Sequence, residues 1–157
     1  MTIEIWSIGK ESDAFIRDGV ALYLKKMQPY IPVSLQILAS PKKAAGQSPE
    51  IVRQLEEELI RSRLKPQHAL VVLDERGKML PSEGWAAQFE KWRDSGTQTL
   101  VLLIGGAFGV TEALRKDARA VWSLSTLVFP HQLVRLIVAE QVYRAFSILR
   151  GSGYHHA

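Results

Sequence analysis

A single α/β domain with a mostly parallel sheet flanked by helices is the fold that this 157-residue chain predicts. Three observations carry the prediction. Apolar runs of strand length alternate with amphipathic stretches of helix length, the joints between them are short, and Thr99 to Ile104 is so uniformly apolar that it fits a strand covered on both faces. A chain of 157 residues buries one ordinary core, so residues 1–157 are taken as one domain.

The elements follow in order. Thr2 to Gly9 has strand character, and Ser12 to Met27 follows as an amphipathic helix with Ser12 as its cap. Pro32 to Ala39 is the second strand. Ser40 to Gln47 has loop chemistry and is the candidate for a mobile surface stretch. Ser48-Pro49-Glu50 supplies a cap, a proline at the first helical position and a first-turn acid, opening a helix that runs to about Leu64. Leu70 to Leu73 centres the third strand, which ends at Asp74 to Lys78, and Ser82 starts a helix through Trp85, Phe89 and Trp92 to about Asp94. After the apolar strand come Gly105-Gly106-Ala107-Phe108-Gly109 and a short helix from Thr111 to about Ala118. Val121 to Phe129 is expected as a strand, Pro130 ends it, and His131 to Leu149 is the longest helix.

Composition removes whole classes of function. With 46% hydrophobic and 23% charged residues the chain is neither disordered nor low in complexity. It has no cysteine, which excludes disulfides, zinc knuckles and thiol nucleophiles. No segment approaches the roughly 18 apolar residues of a membrane span, and the start lacks the basic and apolar stretches of a signal peptide. A cytoplasmic location without membrane or metal partners is the expectation. The formal charge of +4 is concentrated late: residues 101–157 hold 6 basic against 3 acidic side chains and three of the four histidines. That third is the better face for an anionic partner.

Placed at about 100° per residue, the apolar side chains of residues 131–149 cover nearly the whole circumference of the last helix. A second copy of the chain is the favoured cover for its far side, giving a homodimer, with enclosure inside one chain as the alternative. Glu140 and Arg144 stand four apart in the order that favours an intrahelical salt bridge. His131 and Arg135 share a face where a strand has just ended, which is where open α/β sheets bind ligands.

Strand, Gly105-Gly106-x-x-Gly109 and helix together bring main chain close to a ligand, because glycine has no Cβ to keep it away. The spacing matches neither the P-loop nor the dinucleotide fingerprint, so ATP hydrolysis and dinucleotide redox chemistry are disfavoured. Tight turns alone also account for such glycines. The mixed segment Trp122 to His131 suits the lining of a cofactor, with apolar side chains about an adenine and main-chain groups at its edge.

Five motifs in one order now matter: Val72-Leu73-Asp74 with Gly77-Lys78, Leu103-Ile104-Gly105-Gly106-x-x-Gly109, Leu124-Ser125-x-Leu127-x-Phe129-Pro130-His131-Gln132-Leu133-Val134-Arg135, Glu140 to Ala145, and Tyr154-His155. Together they resemble the RlmH-type large-subunit (23S) ribosomal RNA pseudouridine N3-methyltransferases of the SPOUT class, over essentially the whole chain. The resemblance implies a C-terminal trefoil knot, an exception to the usual unknotted rule. It also implies a homodimer and S-adenosyl-L-methionine as methyl donor. Its cofactor contacts fall on Leu73, Gly105, Leu124, Ser125, Thr126, Leu127, Val128 and Phe129, with Val128 standing where relatives often have threonine.

Methylating N3 of a pseudouridine requires the N3 proton to leave, so a base belongs nearby. Location nominates His131; the family likeness adds Tyr154 and His155, should the tail fold over the site from either subunit. Arg135, Arg144 and Arg150 are the expected phosphate contacts, aided by Lys42 and Lys43. A ribosomal RNA substrate, on the assembled ribosome, follows from the same likeness. An α/β enzyme using the glycine loop for another anionic cofactor, and a non-catalytic RNA-binding α/β dimer, are the alternatives.

Overall fold

A computed structural model describes residues 1–156. Its strands are β1 (Thr2–Ile8), β2 (Val33–Leu38), β3 (His68–Met79), β4 (Thr99–Ile104) and β5 (Ala120–Ser123), and its α-helices are α1 (Ala14–Met27), α2 (Pro49–Arg63), α3 (Ser82–Asp94), α4 (Glu112–Asp117) and α5 (His131–Leu149). The strands form one sheet in the order β2-β1-β4-β3-β5, every neighbouring pair parallel. β4 lies at its centre. Leu100, Leu102 and Ile104 point into the core shared with α1, α3 and α5, whereas Val101 and Leu103 point into the core shared with α2 and α4. That two-sided burial is what the apolar run encoded.

Local chemistry sets most boundaries. The Ser48 hydroxyl accepts from the Ile51 N–H at 3.3 Å and Pro49 fills the first turn of α2, as the sequence indicates. Thr111 caps α4 in the same way, accepting from Leu114 N–H at 3.1 Å. At α1 the expectation fails by one residue: Asp13 holds the cap position, and the Ser12 hydroxyl accepts from Arg135 instead. The segment after β2 is also more ordered than its composition implies, since Lys42–Ala44 forms a 3-10 turn that buries Ala44.

One further expectation is corrected. The expected strand to Phe129 ends at Ser123. Its one neighbour, β3, ends at Met79 opposite Ser123, so the apolar residues that follow have no strand to pair with. The apolar girth of α5 is explained in part within the chain: the helix is wedged between α1 and α3 above β1, burying Val138, Ala139, Val142, Ala145 and Phe146. Leu133, Val134, Leu136, Ile137, Ile148 and Leu149 are only half-buried, so the helix keeps apolar surface that the chain itself does not fully cover. On its α3 side the core is aromatic, with Trp122 stacked on Trp92 at 5.4 Å and tilted against Trp85 at 4.8 Å.

β3 carries a discontinuity that shapes everything near the sheet's carboxyl end. β5 pairs with Val71 to Leu73, then again with Lys78 and Met79, and Asp74 to Gly77 bulges between. At Gly77 the two backbones touch so closely that a Cβ would lie 2.6 Å from main-chain atoms of Val121 and Trp122. Gly77→Ala should therefore force β5 away and lower stability by about 2–3 kcal/mol or more, within the range for overpacking. Urea unfolding followed by tryptophan fluorescence checks this, because Trp122 sits at the contact; an unchanged midpoint contradicts it.

Candidate functional site

The carboxyl ends of β3, β4 and β5 open into one cleft of about 410 Å³. Three chain segments wall it: Leu73 to Arg76 after β3, Ile104 to Gly109 after β4, and Ser123 to Phe129 after β5, closed by His131 and Val134 of α5. Of the predicted cofactor contacts, Leu73, Gly105, Leu124, Ser125, Leu127, Val128 and Phe129 border this space; Thr126 does not.

The glycines earlier assigned to close approach do two jobs here. A Cβ on Gly105 would come within 2.9 Å of the Val110 side chain and 3.3 Å of the Gly109 backbone. Gly109 adopts a positive φ of 75° and donates its N–H to the Gly106 carbonyl at 3.0 Å, folding the loop into a tight turn. Opposite, the Ser125 hydroxyl accepts from Leu127 N–H at 3.0 Å, which turns the segment and leaves Leu127 and Val128 exposed, Val128 at 91%. Leu127 and Val128 thus rim a cleft that the glycine loop also walls, a fitting place for an adenine ring with its polar edge.

The sequence motif missed a role for Asp74. Its side chain is only 5% exposed, with Arg76 at 3.4 Å and Arg115 at 3.7 Å from its carboxylate oxygens. It borders the cleft beside Arg76 and Phe108, which also carried no role. An acid directly after an apolar strand and before a glycine was the available signal.

α5 begins with three side chains stitched to the start of the protein. The His131 Nε2–H donates to the Ile8 carbonyl at 2.6 Å, and Gln132 Oε1 accepts from Asp13 N–H at 2.6 Å. Arg135 donates to Ser7 Oγ at 2.7 Å and to Lys10 O and Ser12 Oγ at 2.8 Å. With Nε2–H engaged, Nδ1 of His131 keeps the lone pair. Burial lowers the His131 pKa, and the neighbouring Arg135 adds to this against the raising effect of the Ile8 carbonyl. The imidazole is thus held neutral, the form a base needs.

The expected phosphate contacts fare unequally. Arg135 is 1% exposed and its guanidinium is engaged in the hydrogen bonds above, so burial removes it from the surface role. Arg144 pairs with Glu140 at 2.6 Å, the intrahelical bridge its spacing indicates. Arg150 is exposed and lies over the Tyr30 ring at 5.0 Å, and Lys42 and Lys43 project from the 3-10 turn. The tail sits elsewhere than the cleft: Tyr154 donates to Glu140 at 3.1 Å and His155 contacts Glu83 at 2.8 Å. Glu140 is about 13 Å along α5 from His131 at the rise of a helix, so within one chain Tyr154 and His155 do not meet it. Burial pushes the Tyr154 hydroxyl pKa up, and Tyr23 and Glu140 add to the effect.

The chain is also similar to known proteins. A family model described as "Predicted SPOUT methyltransferase" matches residues 1–155. The chain is 36% identical over 156 residues to a ribosomal RNA large subunit methyltransferase H of Cytophaga hutchinsonii, covering 99% of this chain and 100% of that one. It is 40% identical over 156 residues to the protein of the same name from Trichlorobacter lovleyi, covering 99% and 100%. In fold it is similar to a probable methylase family protein from Haemophilus influenzae Rd KW20, with a TM-score of 0.53 at 13% identity, covering 95% of this chain and 66% of that one.

Arg135 separates a clamp from a surface contact. Arg135→Met leaves Ser7, Ser12 and the Lys10 carbonyl without their donor and should lower stability by about 2–4 kcal/mol. A thermal melt checks it: an unchanged Tm contradicts the clamp.

Proposed function

Because the chain belongs to the SPOUT methyltransferases, in the branch of the large-subunit ribosomal RNA methyltransferase H proteins, we propose that it methylates N3 of a pseudouridine in 23S ribosomal RNA. The observation that carries this reading is the cleft itself, where the segments after β3, β4 and β5 converge on one nucleoside-sized space with the glycine loop as one wall. Methyltransferases of this family use S-adenosyl-L-methionine. When bound, that molecule supplies an electrophilic methyl group, whose transfer leaves the bonding pair on sulfur.

The chain's own residues do the rest. Leu73, Leu124, Leu127 and Phe129 give an apolar bed, and Gly105, Ser125 and Val128 supply main-chain groups. The absence of a threonine hydroxyl at Val128 takes away a side-chain contact and leaves main-chain ones. His131 receives the N3 proton on Nδ1, the lone pair left free by its bond to the Ile8 carbonyl. Holding donor and acceptor in near-attack geometry supplies most of the acceleration, and the anion that develops needs donors nearby.

The finer parts of the reading concern assembly and substrate. A trefoil knot at the C-terminal end is in keeping with the double pairing of β5 against β3 and the close Gly77–Trp122 packing. A homodimer would let Tyr154 and His155 of one subunit approach the cleft of the other, a function the tail cannot serve within its own chain. Arg144, Arg150, Lys42 and Lys43 then face RNA phosphate, with Arg135 acting from beneath by holding α5. No described helix is long and apolar enough to cross a membrane, in keeping with work on ribosomes in the cytoplasm.

Calorimetry separates the reading from its alternatives. Tight binding of S-adenosylhomocysteine with none of ATP or NAD is expected, as is transfer of labelled methyl to ribosomes lacking the modification. Gly105→Val should abolish S-adenosylhomocysteine binding by at least 100-fold while the far-ultraviolet spectrum is kept; undiminished affinity contradicts this placement of the site.

A further inference from the structure

Glu56 is a buried acid that neither the fold nor the proposed chemistry uses. Along α2 the inward stripe is Val52, Glu56 and Ile60, so a carboxyl stands where a core side chain belongs. Glu56 is 4% exposed. Its Oε1 accepts from Ser40 Oγ at 2.8 Å, and its Oε2 has no hydrogen-bond partner among the described residues. Such an atom is costly unless something satisfies it in the working state. Burial raises the pKa of the carboxyl, against the lowering effect of the Ser40 hydroxyl.

What surrounds the acid points to a ligand. Glu56, Ser40 and Ala39 line a second, larger cavity of about 1040 Å³, whose rim includes Lys10 and Lys42. This cavity and the cofactor cleft share Gly106, Ala107, Phe108 and His131 as a common wall. At that wall a Cβ on Gly106 would lie 2.4 Å from Glu56 Oε2, so only glycine lets the loop rest against the carboxyl. An acceptor must approach a methyl donor to about 3–3.5 Å, and this cavity borders the donor's cleft.

We propose that this second cavity receives the acceptor pyrimidine, with Glu56 in its neutral form donating from Oε2 to a ring carbonyl beside N3. The proposal rests on the methyltransferase reading and deepens it. A pyrimidine-dione that loses its N3 proton spreads the charge onto its two flanking carbonyl oxygens, and a neutral buried acid is a donor suited to hold it. Ser40 fixes the other oxygen, so the donor is aimed without reorganisation. Lys10 and Lys42 at the rim meet the flanking phosphates.

The experiment compares wild type, Glu56→Gln, Glu56→Leu and Ala39→Trp in methyl transfer to large ribosomal subunits lacking the modification. Affinity for S-adenosylhomocysteine and Tm are measured alongside. If wild type transfers no methyl group, the methyltransferase reading falls and this proposal with it. Given an active wild type, Glu56→Leu should lower kcat at least 100-fold, Glu56→Gln should stay within tenfold because an amide still donates, and Ala39→Trp should raise KM at least tenfold by filling the cavity. All three should bind S-adenosylhomocysteine within threefold of wild type. Undiminished kcat in Glu56→Leu, a Glu56→Gln variant as impaired as Glu56→Leu, or a parallel loss of S-adenosylhomocysteine affinity overturns the assignment. So does an unaltered KM in Ala39→Trp, which keeps the question open to test even if the buried substitutions disturb folding.

Discussion

The guanidinium of Arg135 is the joint on which the arrangement of this protein depends. It bonds Ser7 at the end of β1, Lys10 beyond it and Ser12 before α1, and the adjacent His131 and Gln132 add two more links to the same region. Residues more than 120 positions apart in sequence are thereby fixed at one corner of the sheet. Gly9 has a positive φ of 141°, and a Cβ there would meet the Arg135 Nη2 at 3.1 Å, so the backbone makes room for the charge. Desolvation lowers the Arg135 pKa, and a buried charge is tolerated only when it is hydrogen-bonded, as Nε and Nη1 are here. With that corner fixed, the first turn of α5 becomes a wall for two cavities at once.

The second constraint is the glycine loop that forms one wall of the cleft. Glycine at 105, 106 and 109 removes side chains where the loop after β4 must pass Val110, Glu56 and itself. Main-chain groups in a tight turn are already ordered, so they are aimed without further loss of entropy when something binds. Apolar residues after β5 add surface but no fixed polar chemistry, and Val128 stands almost fully exposed at the rim. Such a site selects by shape and by hydrogen bonds to main chain, which is why most of its residues can be small or aliphatic.

The parts of the fold that follow from local patterns were legible. β4 declared itself by continuous burial, α2 by Ser48-Pro49-Glu50, and the glycine loop by its place between strand and helix. Other parts depend on contacts distant in sequence. Val121 to Phe129 has strand composition throughout, yet the sheet offers no partner beyond Ser123. Ser12 has the chemistry of a cap, but Arg135 occupies it. Apolar side chains around α5 suggest a second copy as cover, and α1 and α3 bury only part of them, among them Val138, Val142 and Phe146. Arg135 itself looked like a surface cation, because nothing near it in sequence discloses that β1 and α1 close over it. Glu56 stands in a run of three acids and looks solvated; its only signal was the four-residue spacing from Val52 and to Ile60.

The central claim is that the segments after β3, β4 and β5 form one binding site for the methyl donor. Amide hydrogen exchange with and without saturating S-adenosylhomocysteine tests it most directly. Protection confined to residues 73–76, 104–109 and 123–131, with β2 unaffected, is the result the account predicts. Saturation without protection of the glycine loop, or protection centred on β2 and α1, would contradict it.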